Sequence, residues 1–169
     1  MEFKGGATMI TWAKQQSIKP IAANSQKRFT QVEKEVCDYE ISNLIGKKLY
    51  SQVEESPETY KDLLEGCTFE YCGETTSHKG LEYVIAYLVF AAYSLENNLQ
   101  DTYTGMVQKQ RPDSETAPVG LVKNLAQRNR EIAYNYFEAT KKYIEVTFDC
   151  EQRTEKTKYR LIGIKKTEK

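Results

Sequence analysis

The sequence predicts a mainly α fold: a helical bundle around one buried central helix, with a small β-hairpin and strand-like arms at both ends. Three observations carry this. The stretch Leu81–Leu95, LEYVIAYLVFAAYSL, is interrupted only by Glu82 and Ser94, and a helix apolar nearly all round is one enclosed by other elements. Residues Val119 to Val146 follow a helical stripe for about 28 positions. Between the two, Thr102–Val107 has strand-like composition around Gly105, which predicts a hairpin.

The central helix is too short to cross a bilayer, which takes ~20 consecutive apolar residues. At 100° per residue, Leu81, Val84, Ile85, Leu88, Ala92 and Leu95 share one side, and Tyr83, Ala86, Tyr87 and Phe90 the other, with Tyr93 on the flank. The aliphatic side is core. The tyrosine side fits either core or a contact between subunits, because a tyrosine ring packs while its hydroxyl still finds a partner.

The chain of 169 residues divides into an arm (1–27), a helical core (28–150) and a basic tail (151–169). Hydrophobic residues make up 40% and charged residues 28%, with 24 basic and 24 acidic side chains. That is the composition of a single soluble domain, and its zero net charge gives no global case for nucleic-acid binding. The start MEFKGGATMITW lacks the pattern of a signal peptide, and no transmembrane span follows. Four cysteines without such a signal predict reduced thiols in a cytosolic setting. Twelve tyrosines against one tryptophan suit a protein rich in contact surfaces.

In the arm, Thr8–Trp12 reads as a short strand and Ile18-Lys19-Pro20-Ile21 as extended chain. Trp12, Ile18 and Ile21 are too apolar to stay in water, so they dock either on the chain's own body or on a neighbour. A helix is predicted from Gln26 or Thr30 to Ile45 through Val32, Val36, Ile41 and Leu44, closed by a left-handed cap at Gly46. Lys47-Lys48 suits the negative end of its dipole, and Leu49, Tyr50 and Val53 predict a second short helix. Ser56-Pro57-Glu58 reads as an N-cap, first helical residue and first-turn acid of another, carrying Tyr60, Leu63 and Leu64 to Gly66. Residues Cys67–Tyr71 read as extended, and Thr75, Thr76 and Ser77 as capping candidates for the central helix.

The last helix places Val122, Leu125, Ala126, Asn129, Ile132, Ala133, Tyr136, Phe137, Thr140, Tyr143 and Ile144 within one stripe, with Tyr134 off it. Its ~42 Å exceeds what a small globule needs. The segment 153–169 carries seven basic residues against two acidic ones, and Tyr159–Ile164 within it has strand propensity. Such a strand needs a sheet edge, either the hairpin near Thr104 or another chain's strand.

No catalytic constellation is legible. Walker A, GxGxxG, GxSxG and HExxH motifs are absent. The spacing Cys67-x4-Cys72-x5-His78 is the one metal-like grouping. A zinc centre would need a fourth ligand from Cys37, Cys150 or a distant acid, and neither spacing matches a knuckle. Ordinary thiols and a surface histidine are the alternative, and no cofactor or metal is assigned. Thiol catalysis would need a cysteine beside His78 and a group to orient it, which nothing in the sequence organises. The candidate interface residues are Trp12, Ile18, Ile21, Tyr83, Tyr87, Phe90, Tyr103, Met106, Tyr134, Tyr159, Leu161 and Ile162. Lys156, Lys158, Arg160, Lys165 and Lys166 are candidates for phosphate or channel contacts.

The order of pieces resembles a known family. Ile41-Ser42-Asn43-Leu44-Ile45-Gly46 closes an amphipathic helix and leads into Lys47-Lys48-Leu49-Tyr50. There follow Tyr60–Leu64, the helix with Tyr87-Leu88-Val89-Phe90, the segment Tyr103–Lys109, a loop bearing Ser114, and the long helix ending Tyr143-Ile144. Over residues 28–146 this is similar to the head–tail connector (adaptor) proteins of tailed bacteriophages, including crAss-like and other phages of gut bacteria. The resemblance implies a helical, non-enzymatic virion subunit, made in the host cytoplasm, with no membrane contact. It implies a ring of copies, commonly twelve-fold, beneath the portal protein, extending the DNA channel towards further neck and tail proteins. Non-specific contact with packaged DNA fits the basic tail. A monomeric helical module binding nucleic acid through that tail is the other reading.

Overall fold

The computed structural model describes residues 9–22, 26–97 and 118–148, and the backbone of two short strands at 99–102 and 105–108. The fold is mainly helical, as expected. Its elements are α1 (Trp12–Ile18), α2 (Gln26–Val36), a π turn (Cys37–Ile41), α3 (Ser42–Ile45), α4 (Lys47–Glu55), a 3₁₀ turn (Pro57–Tyr60) and α5 (Lys61–Glu65). These are followed by the hairpin β1 (Thr68–Tyr71) and β2 (Glu74–Ser77), then α6 (Leu81–Asn97), a second hairpin β3 (Leu99–Thr102) and β4 (Gly105–Gln108), and α7 (Val119–Thr147).

Helix α6 is the axis of the core. Leu81, Val84, Ile85, Ala86, Leu88, Val89 and Ala91 are all fully buried, on both of the predicted sides. At about 1.5–3 kcal/mol for each large side chain removed from water, this one helix anchors the body. Phe29, Val32 and Val36 of α2, Ile41 and Ile45, Leu49 and Val53 of α4, Leu63, and Ala133, Phe137 and Tyr143 of α7 complete the same cluster. Helices α6 and α7 run antiparallel, since Tyr83 and Tyr87 near the start of α6 meet Tyr136 in the second half of α7.

The arm departs from its prediction. In place of a strand over Thr8–Trp12, Met9 and Ile10 make a bend and Trp12 opens α1. The cause is local: Thr11 is extended and its hydroxyl accepts the Lys14 N–H at 3.2 Å, an N-cap. Lys19, ahead of Pro20, is extended as expected, but Ile18 is the last residue of α1 and not extended chain. Met9, Ile10 and Ile21 are buried in the body and Trp12 stands edge-on to Phe29 at 5.2 Å. The Gln15 amide donates to Lys19 O at 2.7 Å and to Ala86 O at 3.2 Å, and Lys14 pairs with Glu82 at 2.8 Å. Glu33 fixes the start of the arm by accepting the Met9 N–H at 3.1 Å, and burial holds its carboxyl above the usual carboxylate range.

The predicted helix to Ile45 is interrupted by the π turn. Widening frees main-chain carbonyls, and side chains take them: Ser42 Oγ donates to Asp38 O, and Asn43 Nδ2 donates to Tyr39 O at 2.6 Å. Tyr39, within the turn, stands 75% exposed. Gly46 ends the run at φ +87°, ψ +142°, a glycine region distinct from the predicted left-handed helical cap. Ser56 makes no side-chain cap, and Pro57 opens the 3₁₀ turn ahead of α5. Thr75, Thr76 and Ser77 are not caps but form β2. Cys72 and Gly73 both have positive φ, the turn that closes a two-residue hairpin and puts Phe69 opposite Thr76.

Candidate functional site

Cys67 and His78 come together where β1, β2 and the C-terminal half of α7 meet. Gly66 and Gly80 bracket the hairpin, and their backbones lie so close that a Cβ on either would strike the other's segment. That closure brings Cys67 and His78 together, and His78 N–H donates to Cys67 O at 3.1 Å. His78 is buried, not a surface residue: its ring stacks on Tyr143 at 4.5 Å, with Phe69 edge-on at 5.8 Å.

The ring's hydrogen bonds fix its tautomer. Gly80 N–H donates to Nδ1 at 3.2 Å, with the Thr140 hydroxyl 3.4 Å away, so the proton sits on Nε2, 3.4 Å from Cys67 Sγ. Burial lowers the His78 pKa, against a smaller opposing pull from Asp62. Burial also pushes the Cys67 thiol up, with Asp62 adding to it. An activated thiolate–imidazolium pair requires the opposite shifts. Both shifts favour the uncharged forms, an imidazole whose Nε2 faces the Cys67 thiol.

His78 is the only histidine, so its titration is unambiguous. Its proton should leave at a pH below the usual histidine value, read by NMR. A base with a depressed folded pKa gives a contribution fully present above the unfolded value near 6.5 and lost as pH falls from there towards the folded pKa. Urea midpoints should therefore decline over that window in the native chain and less so in His78→Gln. An NMR midpoint at or above 6.5 would overturn the assignment.

The structure separates the remaining metal candidates. Cys72 is exposed at the turn, Cys37 is buried beside Glu33, and Cys150 lies outside the described residues. Among the described residues no three His, Cys, Asp or Glu side chains converge on a metal position. None of the described helices is long and apolar enough to cross a membrane.

The interface candidates fall into three groups. Ile21 is spent in the chain's own core, with Trp12 and Ile18 packed against it. Tyr83, Tyr87 and Phe90 are half-buried: Tyr136 covers the two tyrosines, and the Lys19 ammonium sits 5.4 Å from the Tyr87 ring and 4.8 Å from Phe90. Tyr134 is exposed. Tyr103, Tyr159, Leu161, Ile162, Lys156, Lys158, Arg160, Lys165, Lys166 and the side chain of Met106 lie outside the described residues.

The last helix, overlong by its sequence, outruns its partner, and the side chains it exposes there include one that periodicity places in the core. The 29 residues of α7 outrun the 17 of α6, ~43 Å against ~25 Å. At the overhanging end Val119, Leu121 and Leu125 are 45%, 62% and 43% exposed. Leu125 reads as core by periodicity alone; the signal against it is the helix's length relative to its partner.

No curated protein and no solved structure matches the chain. Residues 41–156, which take in α3 through α7, match a family of unknown function, DUF6712, and the chain belongs to that family.

Proposed function

We propose that this chain is a structural subunit of a tailed-bacteriophage neck, a head–tail connector that assembles with copies of itself into a ring. By the resemblance the ring is twelve-fold, sits under the portal and extends the DNA channel. The subunit works through contacts between surfaces, not through chemistry. The observation that carries the reading is the overhang of α7, a helix end that presents Leu121 and Leu125 to solvent beyond the reach of α6. Exposed apolar side chains in a row suit a partner surface.

The test is native mass and electron microscopy of the purified protein, alone and with portal complexes. Rings, or monomers that assemble on the portal, are expected. Leu121→Lys with Leu125→Lys should disperse the assembly while changing monomer stability by only ~0.5 kcal/mol per site, as exposed positions do. A strictly monomeric protein that ignores portal complexes sinks the proposal.

A further inference from the structure

We infer that the seating of the N-terminal arm, residues 9–22, is linked to a proton on Glu33: the arm lies more firmly on the body when that carboxyl is protonated. The inference does not depend on the connector reading.

The arm closes over an acid. Phe29 and Glu33 are one turn apart on the same side of α2, and the arm touches both. Trp12 stands edge-on to Phe29 at 5.2 Å, and the Met9 N–H donates to Glu33 Oε1 at 3.1 Å. Met9, Ile10 and Glu33 are all buried, the last with 3% of its surface exposed. The arm therefore brings two things to the carboxyl at once: the backbone N–H groups of Met9 and Ile10, and the exclusion of water. The first favours the charged form and the second the neutral one. Exclusion of water is the stronger, and it holds the carboxyl above the usual carboxylate range.

No described cation offsets this. On α2 and the π turn the neighbours are Cys37, whose thiol faces the same Oε1 at 3.6 Å, and the Asp38 carboxylate, which adds to the upward push. From α4, Tyr50 donates to Asp38 at 2.6 Å and Glu54 bears on Cys37. The nearby cations are directed elsewhere. Lys14 pairs with Glu82 of α6, Lys19 lies over the Tyr87 and Phe90 rings, Arg28 faces Glu96 at 3.5 Å, and Lys34 is exposed. A carboxyl that binds its proton more tightly with the arm seated makes seating take up a proton. The gain is fully present below the ordinary value of 4.5 and is lost as pH rises through the raised one.

Hydrogen exchange in the full chain tests this on the arm itself, apart from the opposite trend that His78 gives the body. The reporters are the amides of Met9, bonded to Glu33, of Gln15, bonded to Thr11 O at 2.9 Å, and of Lys19, bonded to Gln15 O at 2.8 Å. With the intrinsic pH dependence divided out, their protection should rise at least about threefold from about pH 7 to about pH 5. In Glu33→Gln, whose side-chain carbonyl still accepts the Met9 N–H, it should stay level. A reciprocal measurement leaves Glu33 in place. Followed by carbon NMR, its carboxyl should titrate above 4.5 in the native chain and return towards 4.5 in Ile10→Ala/Trp12→Ala, which loosens the arm. Protection that is level or falls on acidification of the native chain overturns the inference. An equal rise in Glu33→Gln, or a Glu33 titration unmoved by the loosened arm, overturns it too.

Discussion

Gly80→Ala should cost about 3–5 kcal/mol, a large share of the ~5–15 kcal/mol that holds a domain of this size together. Two effects add. Gly80 has φ +84°, where a side chain costs about 1–3 kcal/mol of backbone strain. Its new Cβ would also press on Leu64 O, and lie 2.6 Å from both Glu65 C and Gly66 N, backbone atoms that yield only by moving the start of the hairpin. Overpacking of that kind adds about 1–3 kcal/mol. Gly73→Ala separates the two effects. Its φ is +81°, yet nothing lies within 4 Å of a Cβ there, so strain of ~1–2 kcal/mol acts alone. Urea unfolding of both variants is the measurement. Equal losses would show that the Gly66–Gly80 approach does not hold the segments together.

Leu88→Ala should cost about 2–5 kcal/mol, the loss of a large aliphatic side chain plus the cavity it leaves. Leu88 has no exposed surface, on a helix whose neighbours Ile85 and Val89 are also sealed, so little can collapse into the gap. The paired control is Leu125→Ala on the α7 overhang, 43% exposed, where a change within ~0.5 kcal/mol is expected for the monomer. If the two substitutions prove comparable by urea unfolding, α6 is not the axis of the core.

The helices were legible where one period ran without interruption. Val32 and Val36, Leu49 and Val53, Leu63 and Leu64, and Ala126 through Tyr143 all lie on the buried sides their spacing assigns. Legibility failed where a few hydrogen bonds override the period. One inserted residue in the π turn breaks the count between Val36 and Ile41, and a single hydroxyl at Thr11 converts a strand-like run into α1. Thr75 and Thr76 suit both a cap and a strand, and only the positive φ of Cys72 and Gly73 decides between them. The Cys67–His78 contact was written in two glycines, but their use is mutual: each is required by the backbone of the other, a relation invisible until the chain is folded. The shift at His78 follows from burial beneath Tyr143, sixty-five residues further along the chain.

The anchoring of α1 sets an order of events during synthesis. Its amide bridge joins Gln15 to Ala86 across 71 residues, and the ion pair that ties the π turn to α7 joins Glu40 to Arg130 across 90. Helical proteins fold quickly when their contacts are local; these contacts are not. At ~5–20 residues per second, a ribosome takes roughly 4–14 s to bring Ala86 out after Gln15. For that interval Trp12 has Phe29 of α2 to close on, while α1 still lacks the Ala86 carbonyl and the Glu82 carboxylate that fix it, and these come only with α6.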